Sequence, residues 1–145
     1  MAEYMNYKSP QPFELLPHTA DIVIRAYGAT QAELFKNALM GMFACMEPKF
    51  SNDTITTQRI ITVQAPDTEA LLIAFLSEAL YTSAIYYEAY RNVHMHECTA
   101  IMCSAELDGS PINGYEGPEI KAVTYHEVQI MHTDAQWQAT ITFDI

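Results

Sequence analysis

The closing stretch from Ile120 to Ile145 constrains the fold more than any other part of the chain. A run Ile-Lys-Ala-Val-Thr-Tyr-His leads into Val128 and Ile130, and polar residues break the pattern near Thr133-Asp134. Trp137, Ala139, Ile141 and Phe143 then alternate with Gln138, Thr140, Thr142 and Asp144. Strict period-two alternation on both sides of a turn signal predicts a β-hairpin with one buried face. Near the start, Ala20 to Tyr27 carries the same signature, with Ile22, Ile24 and Ala26 on one face and Asp21, Val23, Arg25 and Tyr27 on the other. If these two strands are antiparallel neighbours, the start of the first lies beside the end of the last. Asp21 and Asp144 then converge at one edge of the sheet. Carboxylates held that close repel one another unless a cation lies between them. Hard oxygen ligands suit calcium, magnesium or manganese, and the terminal carboxylate or backbone oxygen of Ile145 could add a further ligand.

The intervening pattern supplies helices. Thr30 and Glu33 have the spacing of a capping box, and Leu34, Phe35, Ala38, Leu39, Met42, Phe43 and Met46 repeat on one helical face until Pro48 ends the run. Ile55 to Val63 is β-branched and reads as a strand. Pro66-Asp67-Thr68 opens a longer helix with a stripe of Leu71, Leu72, Phe75, Leu76, Ala79 and Leu80 that extends toward Tyr86. Asn92 to Leu107 reads as one or two extended segments, Asp108-Gly109 as a turn, and Gly114 to Pro118 as a loop. The expectation is an α+β fold, with an antiparallel or mixed sheet and two main amphipathic helices packed on one side of it. Residues 1–12, with two prolines and no period, read as a flexible tail, and residues 13–145 as a single domain.

Charge narrows function. Eighteen acids against seven Lys and Arg give a formal net charge of −11, and from Asn92 onward Lys121 is the sole Lys or Arg against eight acids. Such a surface repels phosphate backbones, so direct nucleic-acid binding is not expected. Metal ions or a basic partner protein fit it better. Three cysteines without a Cys-x-x-Cys pair argue against a disulfide framework and fit a reducing, cytoplasmic setting. No basic start with an apolar core follows Met1, and no long uninterrupted apolar run is present, so neither a secretory signal nor a membrane span is expected.

Joined together, HTADI at 18–22, the two helices, IKAVTYH at 120–126 and the closing W-x-A-x-I-x-F-D-I at 137–145 resemble the archease family over about Phe13 to Ile145. The resemblance implies an activator, not itself a catalyst, of an RtcB-type tRNA-splicing RNA ligase. Such an activator promotes guanylylation of the ligase and lets it turn over repeatedly. It also implies a divalent metal at Asp21, Asp144 and Ile145. Two alternatives are a chaperone or modulator of an RNA methyltransferase, and a stand-alone metal-dependent hydrolase. The segment Pro111 to Pro118 departs from the family pattern before IKAVTYH, which weakens transfer of contacts to that loop.

Each candidate has a plainer reading beside it. Without the resemblance, Asp21 and Asp144 are two solvated acids at strand ends. Lys121 is either a contact for a partner or nucleotide, or a surface lysine paired with Glu119 or Glu127. His18 could stand beside Asp21 as a contact, but it follows Pro17 in a turn, where a capping role is commoner. In His94-Met95-His96-Glu97-Cys98, alternation places His94, His96 and Cys98 on one face, as an array for zinc or copper that lacks an obvious fourth ligand. The same alternation sends Cys98 and Cys103 to opposite faces, which argues against a redox pair. No nucleophile elbow, P-loop, dinucleotide fingerprint or His-Glu-x-x-His is present. Oligomeric state is not legible.

Overall fold

Alternating apolar residues need a surface to cover them, and here two helices cover two sheets at once. A computed structural model describes residues 11–16 and 21–145. Its elements in chain order are β1 (Phe13–Leu16), β2 (Ile22–Gly28), α1 (Gln31–Met46), β3 (Pro48–Phe50), β4 (Thr57–Gln64), α2 (Thr68–Tyr86), β5 (Glu88–Cys98), β6 (Met102–Tyr115), β7 (Ala122–His132) and β8 (Trp137–Asp144). One sheet has the order β1-β2-β8-β7. In the other, β6 is the long central strand, with β5 along one side and β4 and β3 along the other. Every pairing is antiparallel. The expected α+β class and its two helices are present.

The expected layering needs correction. The helices do not pack on one side of a single sheet. Helix α1 packs on β2 of the first sheet and β5 of the second, and α2 on β7 and β4. This explains why α2 is apolar almost all round, with Leu71, Leu72, Ile73, Phe75, Leu76 and Ala79 all buried: both sheets draw on it. By length and composition α2 could cross a bilayer; in this fold Leu71 to Ile73, Phe75, Leu76 and Ala79 enter the core while Tyr81, Ile85 and Tyr86 near its end stay exposed. Phe35 meets Phe75 at 5.7 Å between ring centroids where the helices touch, and Phe43 sets its edge against Tyr90 of β5 at 5.3 Å.

The helix ends follow their sequence signals. Thr30 accepts a hydrogen bond from the Glu33 N–H at 3.1 Å, while the Glu33 carboxylate reaches back to the N–H of Ala29, one residue before the usual partner. Glu47 closes α1 in the left-handed region at φ 51°, immediately before Pro48. Asp67 caps α2 by accepting from the Ala70 N–H at 2.8 Å.

Asp108-Gly109, expected as a turn, lies inside β6. Gly109 serves close approach instead, since a Cβ there would sit 2.7 Å from the Ala89 carbonyl oxygen. The actual turn is Thr99 to Ile101, where the Thr99 hydroxyl accepts from the N–H groups of Ile101 and Met102. The strand β6 also runs on to Tyr115, into the segment expected as loop. Of the expected tail, Pro12 accepts the Tyr27 N–H at 2.9 Å, and residues 1–10 lie outside those described.

Candidate functional site

The β2–β8 ladder ends with Ile22 opposite Phe143. Asp21 immediately precedes the one strand and Asp144 completes the other, so both acids stand at the same end of the first sheet. Ile22 and Phe143 point into the core, and alternation turns Asp21 and Asp144 to the other face. Asp21 is half-buried and Asp144 exposed.

The third strand of this corner is β7. Ala122 pairs with Asp144, and the Lys121 N–H donates to the Asp144 carbonyl oxygen at 2.8 Å. Ile120, one residue earlier, is buried and anchors the segment while Lys121 is exposed. The fold thus brings together Asp21, Lys121, Asp144 and Ile145, the last with an exposed side chain. His18 lies outside the described residues. The donor set fits a hard divalent cation: two carboxylates on adjacent strands and the backbone oxygen of Ile145, with no sulfur or nitrogen among them.

Just beyond the corner β7 breaks its pairing. The register with β8 jumps between Thr124 and Gln129, Glu127 takes φ 54°, and Tyr125 is 64% exposed. A bulge on an edge strand re-aims side chains and blunts the edge against further pairing. Past the bulge, Glu69 in the first turn of α2 accepts the Ile130 N–H at 3.1 Å and holds the strand to the helix. An open groove of about 550 Å³ adjoins the corner, lined by Leu80, Tyr81, Tyr87, Tyr115, Lys121 and Val123. Exposed Tyr81, Ile85, Tyr86 and Tyr87 form an apolar rim at the end of α2. The sequence reading missed the groove, because its walls pair the end of α2 with the distant stretch from Tyr115 to Val123.

The array of His94, His96 and Cys98 on one face does not form. Register shifts between Met95 and Glu97, so Cys98 packs with Met95 against the core while His94 faces away, bonded through Nε2 to Oδ2 of Asp108 at 2.8 Å. The bulge also overturns the expectation for the thiols. Cys98 and Cys103 are direct cross-strand partners. A hydrogen bond from Cys103 holds the Cys98 thiol below its ordinary range against the opposing effect of burial, and the same bond together with burial pushes Cys103 well up. Among the described residues, one group of three potential ligands has its atoms close enough to share an ion: His94, Glu106 and Asp108 each offer an atom within 4.8 Å of the others.

A small α+β domain with helices between two antiparallel sheets and an acidic sheet corner defines the class. Residues 13–145 match the Archease protein family (MTH1598/TM1083). The chain is 37% identical to the protein archease of Methanosarcina barkeri over 142 residues, covering 92% of this chain and 95% of that one. It superposes on the solution structure of Methanobacterium thermoautotrophicum protein 1598 with a TM-score of 0.76 at 26% identity, covering 92% of this chain and 99% of the other. The crystal structure of a Thermotoga maritima archease, described as a possible chaperone, gives a TM-score of 0.67 at 19% identity over 90% and 94% of the two chains, a likeness of fold alone. The chain belongs to the archease family.

Proposed function

We propose that this protein activates an RtcB-type RNA ligase and is not itself a catalyst, acting through the corner formed by Asp21, Asp144, Ile145 and Lys121. The observation that carries this reading is the β2–β8 register, which sets two acids more than a hundred residues apart at one sheet end, beside the start of β7. Asp21, Asp144 and the Ile145 backbone oxygen would hold a divalent ion such as calcium, magnesium or manganese, which when bound supplies positive charge to a phosphate oxygen. Lys121 stands where it can meet an anionic group on the partner or its nucleotide. The exposed rim and groove offer the partner an apolar contact beside the corner, and the net charge of −11 favours a basic docking surface. Such a role places the protein in the cytoplasm with the ligase.

The test is ligase turnover. Folded Asp21→Ala and Asp144→Ala proteins are expected to lose stimulation of guanylylation and multiple turnover by a ligase from the same organism. Stimulation equal to that of the unchanged protein would rule the reading out. A second reading is a chaperone or modulator of another partner, such as an RNA methyltransferase. It is favoured by the Thermotoga relative's description as a possible chaperone and by the exposed Tyr81, Ile85, Tyr86 and Tyr87. Affinity capture enriched in methyltransferase and not ligase would select it.

A further inference from the structure

The second sheet carries a cluster of potential ligands on its outer face, separated from the acidic corner by the helix layer. Glu106 lies directly opposite His94 in the β5–β6 ladder, and Asp108 follows two residues along β6 on the same face. Bulges after Tyr90 and after Met95 bracket His94. They adjust the strand locally, as bulges do where a side chain must be aimed.

Two observations distinguish this group from an ordinary surface cluster. The Asp108 side chain is only 9% exposed, although it leaves a sheet face that elsewhere carries exposed Gln58 and Ile60. One of its oxygens meets His94, and the other, Oδ1, is buried without a hydrogen-bond donor. A buried carboxylate oxygen left unpaired is costly, and a bound cation relieves it. Candidate atoms of His94, Glu106 and Asp108 already lie within 4.8 Å of one another, so little rearrangement separates them from a shared ion.

We propose that His94, Glu106 and Asp108 form a site for a borderline divalent transition-metal ion, zinc foremost. Imidazole nitrogen with two carboxylates suits zinc and its neighbours, whereas calcium asks for six to eight oxygens. Three protein ligands leave a coordination position open to water or to a group from a partner.

Zinc titration by calorimetry tests this, in a Cys98→Ser/Cys103→Ser background that removes thiol ligands. His94 and Glu106 are solvent-accessible, so His94→Ala and Glu106→Gln should fold, which circular dichroism checks. One equivalent of zinc is expected to bind, with affinity falling at least about tenfold in each variant and staying unchanged in Asp144→Asn. Cobalt substitution should give visible absorption bands that vanish in His94→Ala. No zinc binding, or an affinity that either His94→Ala or Glu106→Gln leaves unchanged, overturns the assignment. Because ligase stimulation is not the readout, this result is independent of the function proposed for the corner.

Discussion

Glu88 is the clearest case of a single residue whose environment decides its behaviour. Its side chain is 1% exposed, held by both Nε and Nη2 of Arg59 at 2.9 and 3.0 Å and by the Tyr90 hydroxyl at 2.7 Å. Burial alone would raise its pKa, but the bonds from Arg59 and Tyr90 outweigh it and leave the carboxyl below its ordinary value. A carboxyl depressed in the folded state contributes stability above the unfolded-state pKa near 4.5, and that contribution is lost as pH falls through the lower folded value. Arg59→Met should therefore destabilise the fold by about 3 kcal/mol at neutral pH, since a buried charge loses its partner. The variant should also lose less further stability than the unchanged protein below about pH 4.5. Urea melts across pH check both. Gly41 gives a second residue-scale prediction. A Cβ there would lie 2.8 Å from the Phe13 ring and 3.2 Å from Ile24. Gly41→Ala would gain about 1 kcal/mol of helix propensity and lose about 1–3 by overpacking, so a net loss of stability is expected in thermal melts. The role of Glu88 was not legible in the sequence, because its partner Arg59 is 29 residues away in the chain and only tertiary packing pairs them.

Elements with local signals were legible, and a turn without glycine or proline was not. Helix α1 runs where its stripe and capping pair place it, α2 begins at Thr68 behind its Asp67 cap, and the β7–β8 hairpin turns near Thr133 as expected. The corner of Asp21 and Asp144 followed from that hairpin, since strand alternation and antiparallel neighbours suffice to align two strand ends. The β5–β6 turn escaped because Thr99-Ala100-Ile101 reads as strand, and the bonds that close it, from the Thr99 N–H to the Met102 carbonyl and from Ile101 and Met102 to the Thr99 hydroxyl, carry no glycine or proline signal. Missing that turn, together with the bulge after Met95, hid both the Cys98–Cys103 pairing and the His94, Glu106, Asp108 group. The pairing pattern predicts amide exchange. Residues 103–109 of β6 are flanked by strands on both sides and should exchange slowest, while Tyr125 to Val128, in the bulge of an edge strand, should exchange orders of magnitude faster. Similar rates in the two segments, measured by mass spectrometry, would contradict this sheet topology.

At the scale of the whole molecule, the helix layer separates the two proposed metal sites, an oxygen-only corner at the end of one sheet and a nitrogen-bearing group on the outer face of the other. Ions that bind only the folded state raise its stability by mass action, about 2.7 kcal/mol at a hundredfold excess over Kd. Sites that share no residues should do so additively. Calcium or manganese is therefore expected to raise the melting temperature by several degrees, and Asp21→Asn or Asp144→Asn should abolish that shift while His94→Ala leaves it intact. Zinc should give a second shift with the reverse dependence. The net charge of −11 offers a competing account, in which any dication stabilises the fold by general screening of its self-repulsion. Screening would respond alike to every variant that removes one negative charge, and sodium chloride at matched ionic strength would reproduce it. Melting curves for Asp144→Asn, Glu106→Gln and, as a control, Glu78→Gln, each with calcium, zinc or sodium chloride, separate the two: site binding requires a crossed pattern with the control unmoved, and a uniform shift would assign the effect to screening.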